Sequence, residues 1–407
     1  MSEWNIKASN ISKRAHNPIR QIVDKLKVDP NAQKSFISLS VGDPTVFGNF
    51  NVHESANEAI KRQLDTFKHN GYPPAHGTLD ARDAIARKYS IPEVAPLTPN
   101  DVLLANGCSG ALDICVNVLC NPGQNILLPR PGFSLYKSLA EIREVEVRFY
   151  DLVPENNWQV DLKHMESLID DKTACILVNN PSNPCGSVYP KEHLEAILAI
   201  AAKHHLPIIA DEIYCDLVYK GNTFYPMASL TKDVPILAVG GLAKKWLVPG
   251  WRIGWILVHD RHDAFAAEVR TGLLNLSQVI LGPNSVVQGA LDDILHRTPQ
   301  SFYEDTISQL EYNAKLGIDA ISKIDGLTPV TPQGAMYMMV GIDMDKFKDI
   351  SSDVEFSQKL VAEENVLCLP GQCFDYPNFI RIVITPPAGS LKEAYERIAE
   401  FCARHRK

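Results

Sequence analysis

Short apolar runs alternate with amphipathic stretches through the middle of the chain. The runs at 102–105, 125–128, 146–150, 174–178, 207–210, 236–239 and 254–258 are short enough to be strands and lack helical spacing. Between them, 110–119, 162–169, 191–204 and 262–276 place apolar residues at helical intervals. Strands alternating with helices predict an α/β fold: a large domain with a mostly parallel seven-stranded sheet flanked by helices. Such sheets bind ligands at the carboxyl ends of their strands. After about residue 300 the rhythm changes. A long helical pattern at 299–324 precedes strands at 336–341, 367–369 and 380–384 and helices at 353–364 and 392–405, a smaller α+β domain. Pro18, Pro30 and Pro44 interrupt the first fifty residues, which read as an arm plus a strand at 36–39. That gives an arm and part of the small domain over 1–50, a large domain over 51–300 and the rest of the small domain over 301–407.

Charge narrows the function. The 407 residues carry 40 Lys and Arg against 48 Asp and Glu, so no basic footprint points to nucleic acid. No run approaches the ~18 apolar residues of a membrane span. The N-terminal segment mixes charges of both signs without an apolar stretch, unlike a secretory signal, and its acidic residues make it a poor mitochondrial leader. Nine scattered cysteines, an odd number without a C-x-x-C pair, read as reduced thiols in a cytoplasmic protein. Histidine and cysteine never cluster at ligand spacing, so no metal site is expected.

The common nucleotide and hydrolase signatures are absent: no G-x-G-x-x-G after a strand, no G-x-x-x-x-G-K-[ST], no H-E-x-x-H and no G-x-S-x-G. Five other segments stand out, nearly all just after predicted strands. Gly107-Cys108-Ser109-Gly110 opens a helix, where free N–H groups suit an anion; alone it reads better as an ordinary tight turn. The run 179–186, with two Asn-Pro steps, makes a rigid loop fit to hold an amide against a ligand, or simply a stop signal. Asp211 ends a buried strand and either faces the ligand crevice or caps a helix. Lys244 follows another buried strand among Gly, Pro and Trp residues, a setting that lowers an amine's proton affinity and makes it nucleophilic. A solvated Lys-Lys pair is the plainer account, and it suits Lys245 better than Lys244. Arg252 lies eight positions on, and Arg381 sits inside an apolar strand, where a buried guanidinium needs an anion, either a structural carboxylate or that of a substrate. Together these groups ask for a phosphate, an aromatic ring nitrogen, a ring hydroxyl and an aldehyde that takes a lysine, which pyridoxal 5'-phosphate offers.

The wording of these segments resembles the fold-type I pyridoxal-phosphate aminotransferases, and more narrowly the branch that acts on tyrosine in animals. The matching blocks are HNPIR (16–20), SLSVGDPTVFGN (38–49), NGY (70–72), NPGQNILLPRPGFSLYK (121–137), NNPSNPCGSVY (179–189), ADEIY (210–214), GGLAKKWLVPGWRIGWILVHDR (240–261), QGAMYMMVGI (333–342) and YPNFIRIVIT (376–385). The resemblance implies that Lys244 carries the cofactor and that Asp211 pairs with its pyridine nitrogen. It implies that Asn183 and Tyr214 bond its hydroxyl and that Phe133 stacks on the ring. Gly107, Cys108 and Ser109 would receive the phosphate with Arg252 as counter-charge, and Tyr72 would reach the phosphate from the second subunit of a homodimer. Arg381 would hold the substrate carboxylate, with Gly42 and Asn183 beside it. The chain departs from many relatives at Gly241 and Ala243, where they carry serine. The implied reaction is transamination of tyrosine, with phenylalanine and tryptophan as weaker substrates and 2-oxoglutarate as acceptor. Asn17, Arg20 and the loop 282–285 are candidates for the side-chain pocket, Arg20 equally for a structural tie of the arm. An aminotransferase for alanine or kynurenine shares the same core residues, and a lyase on this scaffold is the more distant alternative.

Overall fold

The computed structural model describes residue 4, residues 6–23 and residues 33–407; Pro30 lies outside them. The proline-broken arm holds two short helices, Asn10–Arg14 and Pro18–Val23. Pro18 opens the second, where its missing N–H costs nothing. Strand β1 (Ile37–Ser38) follows.

The large sheet takes β2 (Val102–Asn106), β3 (Asn125–Arg130), β4 (Glu146–Val153), β5 (Gln159–Val160), β6 (Thr173–Asn179), β7 (Ile208–Asp211), β8 (Ile236–Gly241) and β9 (Ile253–His259). Their order is β2-β9-β8-β7-β6-β3-β4-β5. All seven expected strands form, and the two-residue β5 adds an eighth at the edge, too short for an alternation pattern to reveal. The run from β8 through β7, β6 and β3 to β4 is parallel, while β9 is antiparallel to both β8 and β2. Every residue of β7, β8 and β9 is buried, as expected of strands covered on both faces. Alternate residues serve opposite cores: Ile208 and Ala210 join one, Ile209 the other.

The second sheet runs β10-β11-β14-β13, from β10 (Leu327–Pro329), β11 (Tyr337–Ile342), β13 (Leu369–Pro370) and β14 (Phe379–Val383), all antiparallel. The helices Gln300–Ile321, Asp353–Glu364 and Ala388–His405 accompany it. Strand β12 (Val366–Leu367) instead pairs in parallel with β1, joining Ile37 to Val366 and Ser38 to Leu367. Ile37, Leu39 and Phe50 share one apolar core with Leu310, Val340, Phe356 and Phe401. The arm docks beside this core, with Ile19, Ile22 and Val23 on Leu369, Cys373 and Phe374.

Candidate active site

Parallel pairing sets the ends of three strands abreast. Asn179 of β6 registers with Asp211 of β7, and Asp211 with Val239 of β8. Asp211 is only 3% exposed. Its carboxylate accepts from the Tyr136 hydroxyl at 2.6 Å and the Ile213 N–H at 3.2 Å, with the Cys108 thiol at 3.7 Å. No helix follows it, so Asp211 is a crevice acid fixed by a turn and not a helix cap. Burial pushes its carboxyl up, and the hydrogen bonds from Tyr136 and Ile213 pull against that. The Asn179 side chain donates to the Asp211 carbonyl at 3.0 Å and accepts from the Asn183 N–H at 2.8 Å, which ties the Asn-Pro loop to the strand end. Both Asn-Pro bonds in that loop are cis.

The helix Gly107–Leu119 starts beside this crevice, with no side-chain cap on its first turn. The Gly107 N–H is taken by the Arg252 carbonyl at 3.0 Å, so the expected donor role of Gly107 is not met, and the N–H groups of Cys108 and Ser109 are the ones left for an anion. Gly107 has φ +70°, and a Cβ there would lie 2.6 Å from the Arg252 guanidinium. Arg252 is held at this end by the Pro249 and Asn106 carbonyls, at 3.0 and 3.1 Å.

Lys244 follows β8 and donates to the Gly42 carbonyl at 2.6 Å, with its ammonium 5.7 Å from the centre of the Tyr214 ring. The missing serine at Gly241 has a steric cause: a Cβ there would come within 2.7 Å of the Ile253 carbonyl oxygen. Ala243 does line the cavity, so a hydroxyl is simply absent at that position. The solvated reading of Lys245 is wrong. It is 8% exposed and pairs with Asp216 at 2.8 Å.

Arg381 enters from β14, 3% exposed and with no carboxylate partner among the described residues. It donates to the Asn183 side-chain oxygen at 3.0 Å and the Ser40 carbonyl at 2.6 Å, and its Nε is buried without a partner. Tyr337 and Phe374 lie 4.5 and 4.9 Å from the guanidinium carbon. Burial lowers its proton affinity. A buried cation satisfied only by carbonyls is an anion receptor. The Tyr214 hydroxyl meets that of Tyr337 at 2.8 Å, so Asn183 and Tyr214 already hold protein partners that a ligand hydroxyl would exchange or share.

These groups line one cavity of about 410 Å³: Gly42, Cys108, Ser109, Phe133, Asn183, Asp211, Tyr214, Lys244, Arg252 and Arg381 all face it. Gly107 adjoins it through Arg252. Tyr72 is 90% exposed and does not reach it within one chain. Arg20 lines the cavity, but Asn17 caps its helix through the Arg20 N–H at 3.1 Å, and the loop 282–285 lies elsewhere. The sequence reading missed Tyr136, Tyr337 and Ser40. Tyr136 was discoverable, since it stands one helical turn after Phe133.

Glu212, next to Asp211, is half-buried on the other side of the strand end and accepts one hydrogen bond, from the Met227 N–H at 2.9 Å. Burial pushes its carboxyl up to about 8. The folded state therefore holds a proton that the unfolded chain releases near pH 4.5, and Glu212 makes stability fall as pH rises from about 4.5 to about 8. Glu212→Gln keeps the acceptor and is expected to flatten that decline. Its gain in melting temperature over the parent would be larger at pH 8 than at pH 5 in paired thermal scans.

A lysine, a strand-end acid, an anion cradle at a helix start and a buried carboxylate receptor in one cavity define an enzyme of the fold-type I aminotransferase class. A family model of aminotransferase classes I and II matches residues 34–398, and the chain belongs to that family. Similar curated proteins include the tyrosine aminotransferase of Mus musculus, 57% identical over 99% of this chain and 89% of its own length. That of Dictyostelium discoideum is 49% identical over 100% of this chain and 98% of its own. Among solved structures, a tyrosine aminotransferase from Leishmania infantum superposes with a TM-score of 0.96 at 34% identity, covering 100% of both chains.

Proposed function

We propose that this aminotransferase uses pyridoxal 5'-phosphate to move the amino group of L-tyrosine to 2-oxoglutarate, giving 4-hydroxyphenylpyruvate and L-glutamate. The observation that carries the reading is one cavity joining Lys244, Asp211 and an Arg381 that lacks a carboxylate. The identity to tyrosine aminotransferases supports the substrate. The donor set fits the cofactor: the Gly107 cradle and Arg252 suit a phosphate, and Asp211 suits a protonated ring nitrogen. When bound, the cofactor supplies an aldehyde that takes up the amino group and a charged ring that stores electrons.

The chain's own residues do the rest. Arg381 grips the substrate carboxylate through paired guanidinium N–H groups. That grip orients the α carbon toward Lys244 Nζ. The amine takes the α proton and holds it for return, first as base and then as acid. Phe133 and Tyr214 bound the ring space, and Tyr136 steadies Asp211. Leaving of the first product before entry of the second substrate gives ping-pong kinetics.

Two further readings accompany this one. The 1–50, 51–300 and 301–407 division is supported by the apolar core shared between Ile37, Leu39 and Phe50 and the C-terminal elements. A homodimer is supported by an exposed apolar face containing Phe67, Tyr72, Val279, Ile280 and Leu281, whose segments are tied by the Ser285 hydroxyl on the His69 carbonyl. In such a dimer Tyr72 would reach the partner's phosphate site. Among the described residues no helix is long and apolar enough to cross a membrane, and all nine cysteines are free, which supports a reducing cytoplasm.

A half-reaction tests the substrate. Purified enzyme mixed with tyrosine alone is expected to convert its visible aldehyde-form band to the amine form, much faster than with alanine or kynurenine. Fast conversion by alanine and none by tyrosine would overturn the assignment.

A further inference from the structure

A second cavity, about 340 Å³, lies behind the first. Adjacent residues divide between the two: Asp211 and Lys244 face the first, Glu212 and Lys245 the second. Three aromatic side chains, Tyr89, Trp246 and Trp255, wall it. Tyr89 and Trp255 stand 5.4 Å apart between ring centres, Trp246 and Trp255 6.3 Å. The rings pack on one another and so form one continuous aromatic wall, against which a flat apolar body can lie.

Two cations and two carboxylates line the cavity, but only one pair is joined. Lys245 is matched by Asp216 at 2.8 Å. Lys88 also lines the cavity, and no described residue forms an ion pair or hydrogen bond with its ammonium. Burial and then Lys245 lower its proton affinity, an effect that a bound anion would reverse. Glu212 is protonated near neutrality and offers an O–H donor. His259, 5% exposed, lines the same space with Nδ1 buried and unpartnered. Burial holds its imidazole down to about 4, hence neutral. One unmatched cation, neutral polar groups and aromatic walls suit a single negative charge on a planar body. They do not suit an amino acid, whose ammonium would meet Lys88 and Lys245.

We propose that the cavity behind the strand ends, walled by Tyr89, Trp246 and Trp255 and headed by Lys88, is a second binding site for small aromatic monocarboxylates that lack an amino group. Aromatic 2-oxo acids belong to that class. Naming one as the natural occupant rests on the tyrosine reading above, whereas the site and its ligand chemistry do not.

The probe is 3-phenylpropionate, titrated calorimetrically into the holoenzyme. Two ligands per chain are expected, one at Arg381 and one at Lys88. Arg381→Met removes the first only. Lys88→Met weakens the second only, by about tenfold or more, the scale of one charge-assisted contact. A single ligand per chain, lost in Arg381→Met and unaltered in Lys88→Met, overturns the site. Crystals of the parent enzyme with 3-(4-bromophenyl)propionate give a check that needs no variant. A bromine peak beside Trp246 and Trp255 supports the proposal, and a peak confined to the first cavity refutes it. Equal occupancy of the second cavity by D-4-bromophenylalanine, the enantiomer that a reaction on L-amino acids does not consume, would overturn the ligand class. None of these outcomes depends on whether tyrosine is turned over.

Discussion

Lys244→Ala is expected to give a folded, colourless enzyme whose turnover falls by about 10⁴-fold, the upper end for losing a positioned proton carrier. Two functions vanish together, the covalent hold on the cofactor and the amine beside the substrate α carbon. The amine now spends its hydrogen bond on the Gly42 carbonyl at 2.6 Å, so removing it leaves that carbonyl to water without disturbing the core. The visible spectrum of the purified variant and a coupled assay for glutamate measure the two losses separately. Added methylamine is expected to recover part of the turnover, because a free amine can replace the proton carrier but not the tether. Full turnover in the variant would remove Lys244 from the chemistry.

Asp211→Asn is expected to separate binding from electronics. The asparagine oxygen keeps the Ile213 N–H while its amide donates to the Tyr136 hydroxyl, which can accept, so the pocket retains its shape. It loses the negative charge that would hold the ring nitrogen protonated. A loss of roughly 10²–10³-fold in kcat is expected, the scale of deleting one preorganised electrostatic contact. Visible absorbance, although shifted, persists because Lys244 is intact. Stopped-flow absorbance with tyrosine tests this. A variant as fast as the parent would show that the charge of Asp211 is not needed, whatever its position.

The parallel core of the fold was legible because strands buried on both faces write continuous apolar runs, as in the 236–239 and 254–258 segments. The edge strand β5 and the strand β10 were not, since two or three residues carry no period. Lys244, Asp211 and Arg381 were legible as charged residues in apolar settings, a contradiction that asks for a ligand. Tyr337 was not, because a tyrosine in an apolar run reads as core until its hydroxyl partner is known, and Tyr136 showed itself only through its spacing from Phe133. Lys245 was misread for a related reason: its partner Asp216 is distant in sequence, and only folding brings the two together. Within one chain the loop 282–285 lies on the face that carries Tyr72 and not at the cavity, a matter of long-range packing that no local pattern encodes.

The pairing of β1 with β12 has a bearing on the order in which the chain matures. Its partners are separated by roughly 330 residues, and closing so long a loop costs only logarithmically more than closing a short one. The equilibrium hardly registers the distance, but synthesis does. The segment around Ile37 leaves the ribosome early and has no mate until Val366 emerges, by which time the central sheet has all its strands. The Ser40 carbonyl that steadies Arg381 rides on that late-docking segment. The carboxylate receptor is therefore among the last parts of the enzyme to be assembled, and a nascent chain gains its anchor for substrate only after its scaffold for cofactor.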